Sequence, residues 1–231
     1  MFRLSVIILC CLVFVSPALS LVQENPGLDK SRIPVEANNV KAFAPLGWKI
    51  EEQVSGDLNN DAIPDYALKL IEDKPAEKDA DTPQERQRAL VVVFSNKAGK
   101  LSRAAVADKL LQCTSCGGAF YGMVEAPANV KIEKGVLIVN QDHGSRNVTE
   151  ATYRFRYDPQ IKQLVLIGLD VVDRDRATAE VIAESTNYLT GLKVVKSYRA
   201  KGRDLISRKR VSREKISIEQ VDHESFEEVG Q

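Results

Sequence analysis

The chain has 231 residues, 44% of them hydrophobic, and its 32 Lys and Arg balance 32 Asp and Glu to a formal net charge of zero. That apolar content excludes a disordered chain and points to a packed core. Charge neutrality removes any global electrostatic argument for nucleic acid as a partner.

Residues 1–20 carry one early cation, Arg3, then the apolar run Leu4 to Val15, then Ser16-Pro17-Ala18-Leu19-Ser20. This is the pattern of a secretory signal peptide cleaved near Ser20. The run is shorter than the roughly 20 apolar residues of a membrane-spanning helix. A mature chain without a transmembrane segment, periplasmic or secreted, is the expectation. Residues 21–40, polar and holding Pro26 and Pro34, read as an extended leader. Residues 41–215 then read as one mainly β domain, an antiparallel meander or sandwich with little helix, and residues 216–231 as an acidic tail.

Within that domain, Phe43 to Trp48 reads as the first apolar strand, and Lys49 to Val54 leads into Ser55-Gly56-Asp57-Leu58-Asn59-Asn60-Asp61-Ala62-Ile63-Pro64-Asp65-Tyr66. Asp57, Asn59 and Asp61 at alternate positions, with Asp65 four residues later, offer oxygens that can converge on one hard cation, and Ile63 can add its carbonyl. Ca²⁺ takes six to eight such oxygens in irregular geometry. The stretch is not an EF-hand, because Ala62 and Leu68 stand where that loop needs Gly and Glu. A solvated Asx-turn between two strands is the competing reading.

Tyr66 to Ile71 fits a return strand, and Glu72 to Arg88, dense in charge and holding Pro75 and Pro83, an exposed loop. The unbroken apolar run Ala89 to Phe94 has the length and composition of a strand buried on both faces. Leu101 to Gln112 is compatible with either helix or strand. Cys113 and Cys116 are the two cysteines left after signal cleavage, and an oxidising compartment pairs them. Gly117-Gly118 is a poor helix opening, so the pair reads as a structural staple, with a thiol oxidoreductase as the competing class. His143 and His223 could join a zinc site only on paper, since their spacing matches none of the usual ones.

Val130 to Glu133 and Val136 to Asn140 flank Lys134-Gly135 as a two-residue hairpin. Tyr153, Phe155 and Tyr157 share one strand face, and Gln163 to Leu169 returns beyond Asp158-Pro159-Gln160. Gln141-Asp142-His143-Gly144-Ser145-Arg146 holds an Asp, a His and a Ser together. Sequence neighbours rarely form a triad with an oxyanion site, so His143 and Arg146 are read as ligand contacts. Val171 to Glu184 reads as a loop and short helix, and Leu192 to Arg199 with Leu205 to Val211 as a last hairpin. Ten Lys or Arg lie between Lys193 and Lys215. They suit an anionic partner or an edge guarded against strand pairing, with the acidic tail as its cover.

The pattern Asp57-x-Asn59-x-Asp61-x-x-x-Asp65 resembles the calcium loop of integrin α-chain propeller blades, the FG-GAP or VCBS-type repeat. In that family Gly usually takes the place of Ala62. The motif occurs once, against a full propeller of several blades. Taken with Gly47-Trp48-Lys49, Cys113 to Gly118 and Asn187-Tyr188-Leu189-Thr190-Gly191, the chain resembles secreted bacterial β proteins of no assigned activity. The resemblance implies a periplasmic location and a structural Ca²⁺ held by Asp57, Asn59, Asp61, Ile63 and Asp65, and it lends no catalytic residues. The leading expectation is a non-catalytic binding or envelope-associated module for an envelope or small-molecule ligand. The alternative is a small periplasmic hydrolase using the His143 region.

Overall fold

The computed structural model describes residues 27–75, 83–199 and 203–226. The segment read as a signal peptide, residues 1–20, and the end of the acidic tail lie outside the described residues. Among the described residues twelve strands form two antiparallel sheets: β1 Glu36–Ala37, β2 Trp48–Gly56, β3 Asp65–Glu72, β4 Arg88–Ser95, β5 Leu101–Ala107, β6 Ala128–Glu133, β7 Val136–Gly144, β8 Asn147–Asp158, β9 Gln163–Asp175, β10 Val181–Asn187, β11 Leu192–Tyr198 and β12 Leu205–Arg210. The first sheet runs β1-β5-β4-β3-β2, and the second β12-β11-β10-β9-β8-β7-β6. The mainly β expectation holds, and the described α-helix is one turn, α1, His223–Phe226.

The apolar run Ala89 to Val93 forms the middle of β4, where all five residues are fully buried. Alternation divides them between two cores. Leu90 and Val92 face the second sheet, meeting Leu137, Val139, Tyr153 and Phe155. Ala89, Val91 and Val93 point the other way, into a second core with Leu68, Leu70, Phe43 and Ile33. The segment read as an extended leader supplies that cover together with Phe43, which ends a 3₁₀ turn, Val40–Phe43, where the first strand was expected; the strand itself begins only at Trp48. Ile33 and Phe43 are buried, β1 pairs with β5, and the Arg103 side chain donates to the Lys30 and Ile33 carbonyls.

Two cations tie the sheets together at the edge of the first core. Arg88, almost wholly buried, donates from Nε and Nη2 to the Glu51 carboxylate at 2.9 Å each and from Nη1 to the Ala126 carbonyl at 2.7 Å. Lys69 donates to the Ala128 carbonyl at 3.0 Å. The β2–β3 register shifts between Ile50 and Glu52, a bulge that aims Glu51 at Arg88.

In the second sheet, Lys134 and Gly135 both take positive φ between the paired Glu133 and Val136, as a tight primed hairpin turn requires. The segment 101–112 resolves as strand through Ala107, because β4 offers it a hydrogen-bonding edge. Of the loop and short helix expected over Val171 to Glu184, the loop is confined to residues 176–180 and the helix is replaced by strand on either side. β9 continues to Asp175 and β10 begins at Val181, since β8, twelve residues long, supplies backbone partners as far as Asn147↔Asp175. A long strand edge outweighs the modest helix preference of interspersed alanines. The start of the tail is part of the fold. Ile218 and Val221 are buried in the first core, and Glu219 accepts from the Val106 N–H at 2.6 Å.

Phe43 measures how much the N-terminal cover contributes. Phe43→Ala should cost about 3–5 kcal/mol, read as a lower denaturation midpoint with an unchanged far-UV spectrum. A loss below about 1 kcal/mol would mean that the cover is dispensable.

Candidate functional site

The acidic loop between β2 and β3 is wound around its own backbone. Asp57 Oδ1 accepts from the N–H groups of Asn60 and Asp61, and Oδ2 from Ala62, at 2.7, 3.2 and 2.9 Å. Asn59 Oδ1 accepts from Asp61 N–H, while its Nδ2 donates to Asp61 Oδ2. Asp61 Oδ1 accepts from Ile63 N–H at 2.8 Å. Asn60 and Ala62 hold φ values of 64° and 63°. Ala62 thus adopts the left-handed backbone that Gly would take freely, a strain of about 1–2 kcal/mol for an L-residue.

Asp65 sits apart, fully buried at the start of β3. Its Oδ2 accepts from Leu58 and Asn59 N–H, and its Oδ1 from Ser95 N–H at 3.0 Å, so it joins the loop to the end of β4. Burial pushes the carboxyl above its ordinary value, while the Ser95, Leu58 and Asn59 N–H groups pull the other way. The oxygen types suit a hard cation. In this conformation they are engaged by N–H donors, and among the described residues no three His, Cys, Asp or Glu converge as a metal-ligand set. Calcium binding would therefore require Asp57 and Asp61 to exchange N–H contacts for the ion.

A second cluster lies at the far end of β7. Gly135, which opens the β6–β7 hairpin, approaches the Asp57 carbonyl, whereas His143 and Gly144 close the same strand beside the cysteines. Cys113 and Cys116 form a disulfide with Cα atoms 5.1 Å apart. The turn is fastened on both sides: Thr114 Oγ1 accepts from Arg86 N–H and donates to the Gln84 carbonyl, and Gly144 N–H donates to the Gly117 carbonyl at 3.0 Å. Gly118, at φ 68°, would place a Cβ 2.6 Å from the Gly144 carbonyl oxygen, so a side chain here would force the two turns apart.

Beside the turn is a cavity of about 340 Å³ lined by Gln112, Cys116, His143, His223 and Glu224. Buried Gln112 holds its floor, donating from its backbone N–H to Gln141 Oε1 and from Nε2 to the Pro127 and Asp142 carbonyls. His223 arrives from the tail, tied by its N–H to the Lys109 carbonyl at 3.0 Å. Burial lowers the His223 pKa from its ordinary value. His143 acts in the same direction, against the fields of Glu224 and Asp222.

The Asp-His-Ser run does not assemble as a triad. Asp142 and His143 are neighbours on a strand and point to opposite faces. The Asp142 carboxylate accepts a short hydrogen bond from the Tyr121 hydroxyl, and burial with that bond raises the Tyr121 pKa. Arg146 pairs with Asp175 through Nε at 3.2 Å and Nη2 at 2.8 Å, which pulls the Asp175 carboxyl down to about 2. It joins the β7–β8 turn to the end of β9.

A further feature was not legible in the sequence. The outer face of the second sheet, opposite Tyr153 and Val171, carries a groove of about 440 Å³ between Asp170, Val172, Ala183, Ser185, Lys196 and Tyr198. Strand register sets Thr152, Asp170 and Ser185 in one row across β8, β9 and β10. Asp170 accepts from Arg154 at 2.7 Å and from Ser185 Oγ at 2.6 Å. The signal was alternation in β9 to β11, hidden because that region read partly as helix. No family model, curated protein or solved structure matches this chain.

Asp65→Ala should destabilise the fold by about 3 kcal/mol or more, because it strands three N–H groups at roughly 1–3 kcal/mol each. Asp61→Ala, in the exposed part of the loop, should cost less than about 1 kcal/mol in chelator. Equal losses in urea unfolding would show that Asp65 does not join the loop to β4.

Proposed function

We propose that the mature chain is an exported, non-catalytic binding module whose ligand lies on the outer face of β9, β10 and β11. The groove around Asp170, Ser185, Lys196 and Tyr198 is the observation that carries this reading. It combines an exposed aromatic ring with acidic, hydroxyl and cationic groups in fixed register on a rigid sheet. An aromatic face with polar neighbours suits a hydroxyl-rich ligand such as an envelope glycan, which stacks its C–H face and hydrogen-bonds its rim. The hydrolase alternative lacks comparable support, since Asp142 and His143 face apart and Arg146 is paired. The Cys113–Cys116 disulfide favours export.

Oligomers of N-acetylglucosamine, titrated into the labelled protein, should shift backbone amide resonances of β9 to β11. Tyr198→Ala should weaken that binding about tenfold, or about 1.4 kcal/mol. No shift at millimolar oligomer, or shifts confined to other strands, would reject this face as the glycan site.

Structural calcium at the loop is a second, separable part of the proposal. Its support is the likeness of the Asp57 to Asp65 pattern to the FG-GAP loop, together with the Gly-like backbone of Ala62. The ion would bring charge neutralisation to Asp57 and Asp61, with Asn59, the Ile63 carbonyl and Asp65 as further oxygens. Calcium at tenfold excess over its dissociation constant should stabilise the fold by about 1.4 kcal/mol, seen as a calcium-specific rise in melting midpoint that magnesium does not reproduce and Asp61→Ala abolishes. An unchanged midpoint from chelator to millimolar calcium would reject the ion.

A further inference from the structure

We infer that Cys113–Cys116 is an exchange-competent redox site, opened at the Cys116 sulfur by an incoming thiol, with His143 and His223 as its proton carriers. The two cysteines are unlike in access: Cys113 is buried, 2% exposed, whereas Cys116 faces solvent. An external thiol therefore has one sulfur to attack. Cys116 borders the cavity that His143 and His223 also line. The two imidazoles come from positions eighty residues apart in the chain. They meet because the tail is anchored by Ile218, Val221 and the His223 N–H. A staple in so short a ring removes little unfolded-state entropy and needs no imidazole at its exposed atom.

The helix N-terminus that activates many Cys-x-x-Cys pairs is absent, since the turn leads into a three-residue 3₁₀ segment, Gly118–Phe120. The imidazoles take its place. Burial keeps His223 in its neutral form further into the acid range than an exposed histidine, ready to accept a proton. The charged groups around the pair are Glu224 and Asp222 on the tail, Lys109 ion-paired to Asp222 at 3.4 Å, and Asp142, whose carboxylate is bonded by Tyr121 on the opposite strand face.

The exchange balances with a dithiol as reductant. An imidazole takes the proton of the first dithiol sulfur, which attacks Cys116 Sγ. The Cys113–Cys116 bond breaks and its electron pair leaves on Cys113 Sγ, 3.4 Å from the Ser115 hydroxyl. The second dithiol sulfur then attacks the first, closing the partner's disulfide and releasing Cys116 as a thiolate beside the imidazoles. The two protons of the partner dithiol end on Cys113 and Cys116. The chain gains two electrons and the partner loses two, and the reverse reaction oxidises the chain.

The test is opening of the disulfide by dithiothreitol in the native protein, with thiols trapped by alkylation and assigned by mass spectrometry. Opening should proceed at a rate unaffected by low urea, and once both thiols are free the trap should label exposed Cys116 before buried Cys113. Glutathione disulfide should form a mixed disulfide with Cys116 in Cys113→Ser and not with Cys113 in Cys116→Ser. His143→Gln should slow opening about tenfold or more and flatten its pH profile while the melting midpoint holds. His223→Gln serves as the second variant should the first disturb the turn. Opening that accelerates with urea in step with global unfolding would overturn the site. Wild-type rates and pH profiles in both histidine variants would overturn the proton carriers.

Discussion

The structure depends on the burial of β4 on both faces. A strand whose five central residues are all excluded from solvent cannot rest on one partner layer, because its alternate side chains point in opposite directions. One face obliges the second sheet to pack against Leu90 and Val92. The other obliges a further layer, and the N-terminal segment supplies it with Ile33, Val40 and Phe43. The arrangement is a sandwich of two sheets with a third, irregular layer outside the smaller one.

That arrangement also explains where charge is buried. Arg88 opens the most apolar strand in the molecule and is compensated by the Glu51 carboxylate and the Ala126 carbonyl. Asp65 at the other end of the first sheet is compensated by three N–H groups. In both places a buried charge joins segments that the sheet ladders do not connect. Removal of either partner would leave an uncompensated polar group, which is the costly outcome in a low-dielectric interior.

The two sheets differ in width, and the difference places the candidate sites. Strands β10, β11 and β12 extend beyond the smaller sheet, and every residue of β12 is exposed. The groove around Asp170 and Tyr198 belongs to this wing. The disulfide pocket lies at the end of β7, where the turn before β6 and the tail close around it. The acidic loop occupies the opposite end of β7. The features with chemical content thus lie at the margins of a core whose centre is purely structural.

Local pattern sufficed for the elements whose information is short range. The unbroken run Ala89 to Phe94, the Lys134-Gly135 turn, the Tyr153-Phe155-Tyr157 alternation and the Cys113–Cys116 pair were all legible, because periodicity, turn chemistry and cysteine spacing act within a few residues. The helix expected between Val171 and Glu184 failed for the complementary reason: its alanines carry a weak preference, and the edge of β8 that overrides it lies elsewhere in the chain. The same limit hid the leader's role as a core layer, the pairing of Arg146 with Asp175, and the groove created by strand register. His143 and His223 looked unrelated at their sequence separation, yet the buried Ile218 and Val221 draw the tail across the sheets and bring both to one pocket. The sequence by itself determined the strands and turns whose signal is local, such as Ala89 to Phe94 and Lys134-Gly135, and which cysteines pair. Only the tertiary structure decided which faces are covered and which distant side chains meet, because those outcomes depend on packing between parts of the chain that carry no information about one another locally.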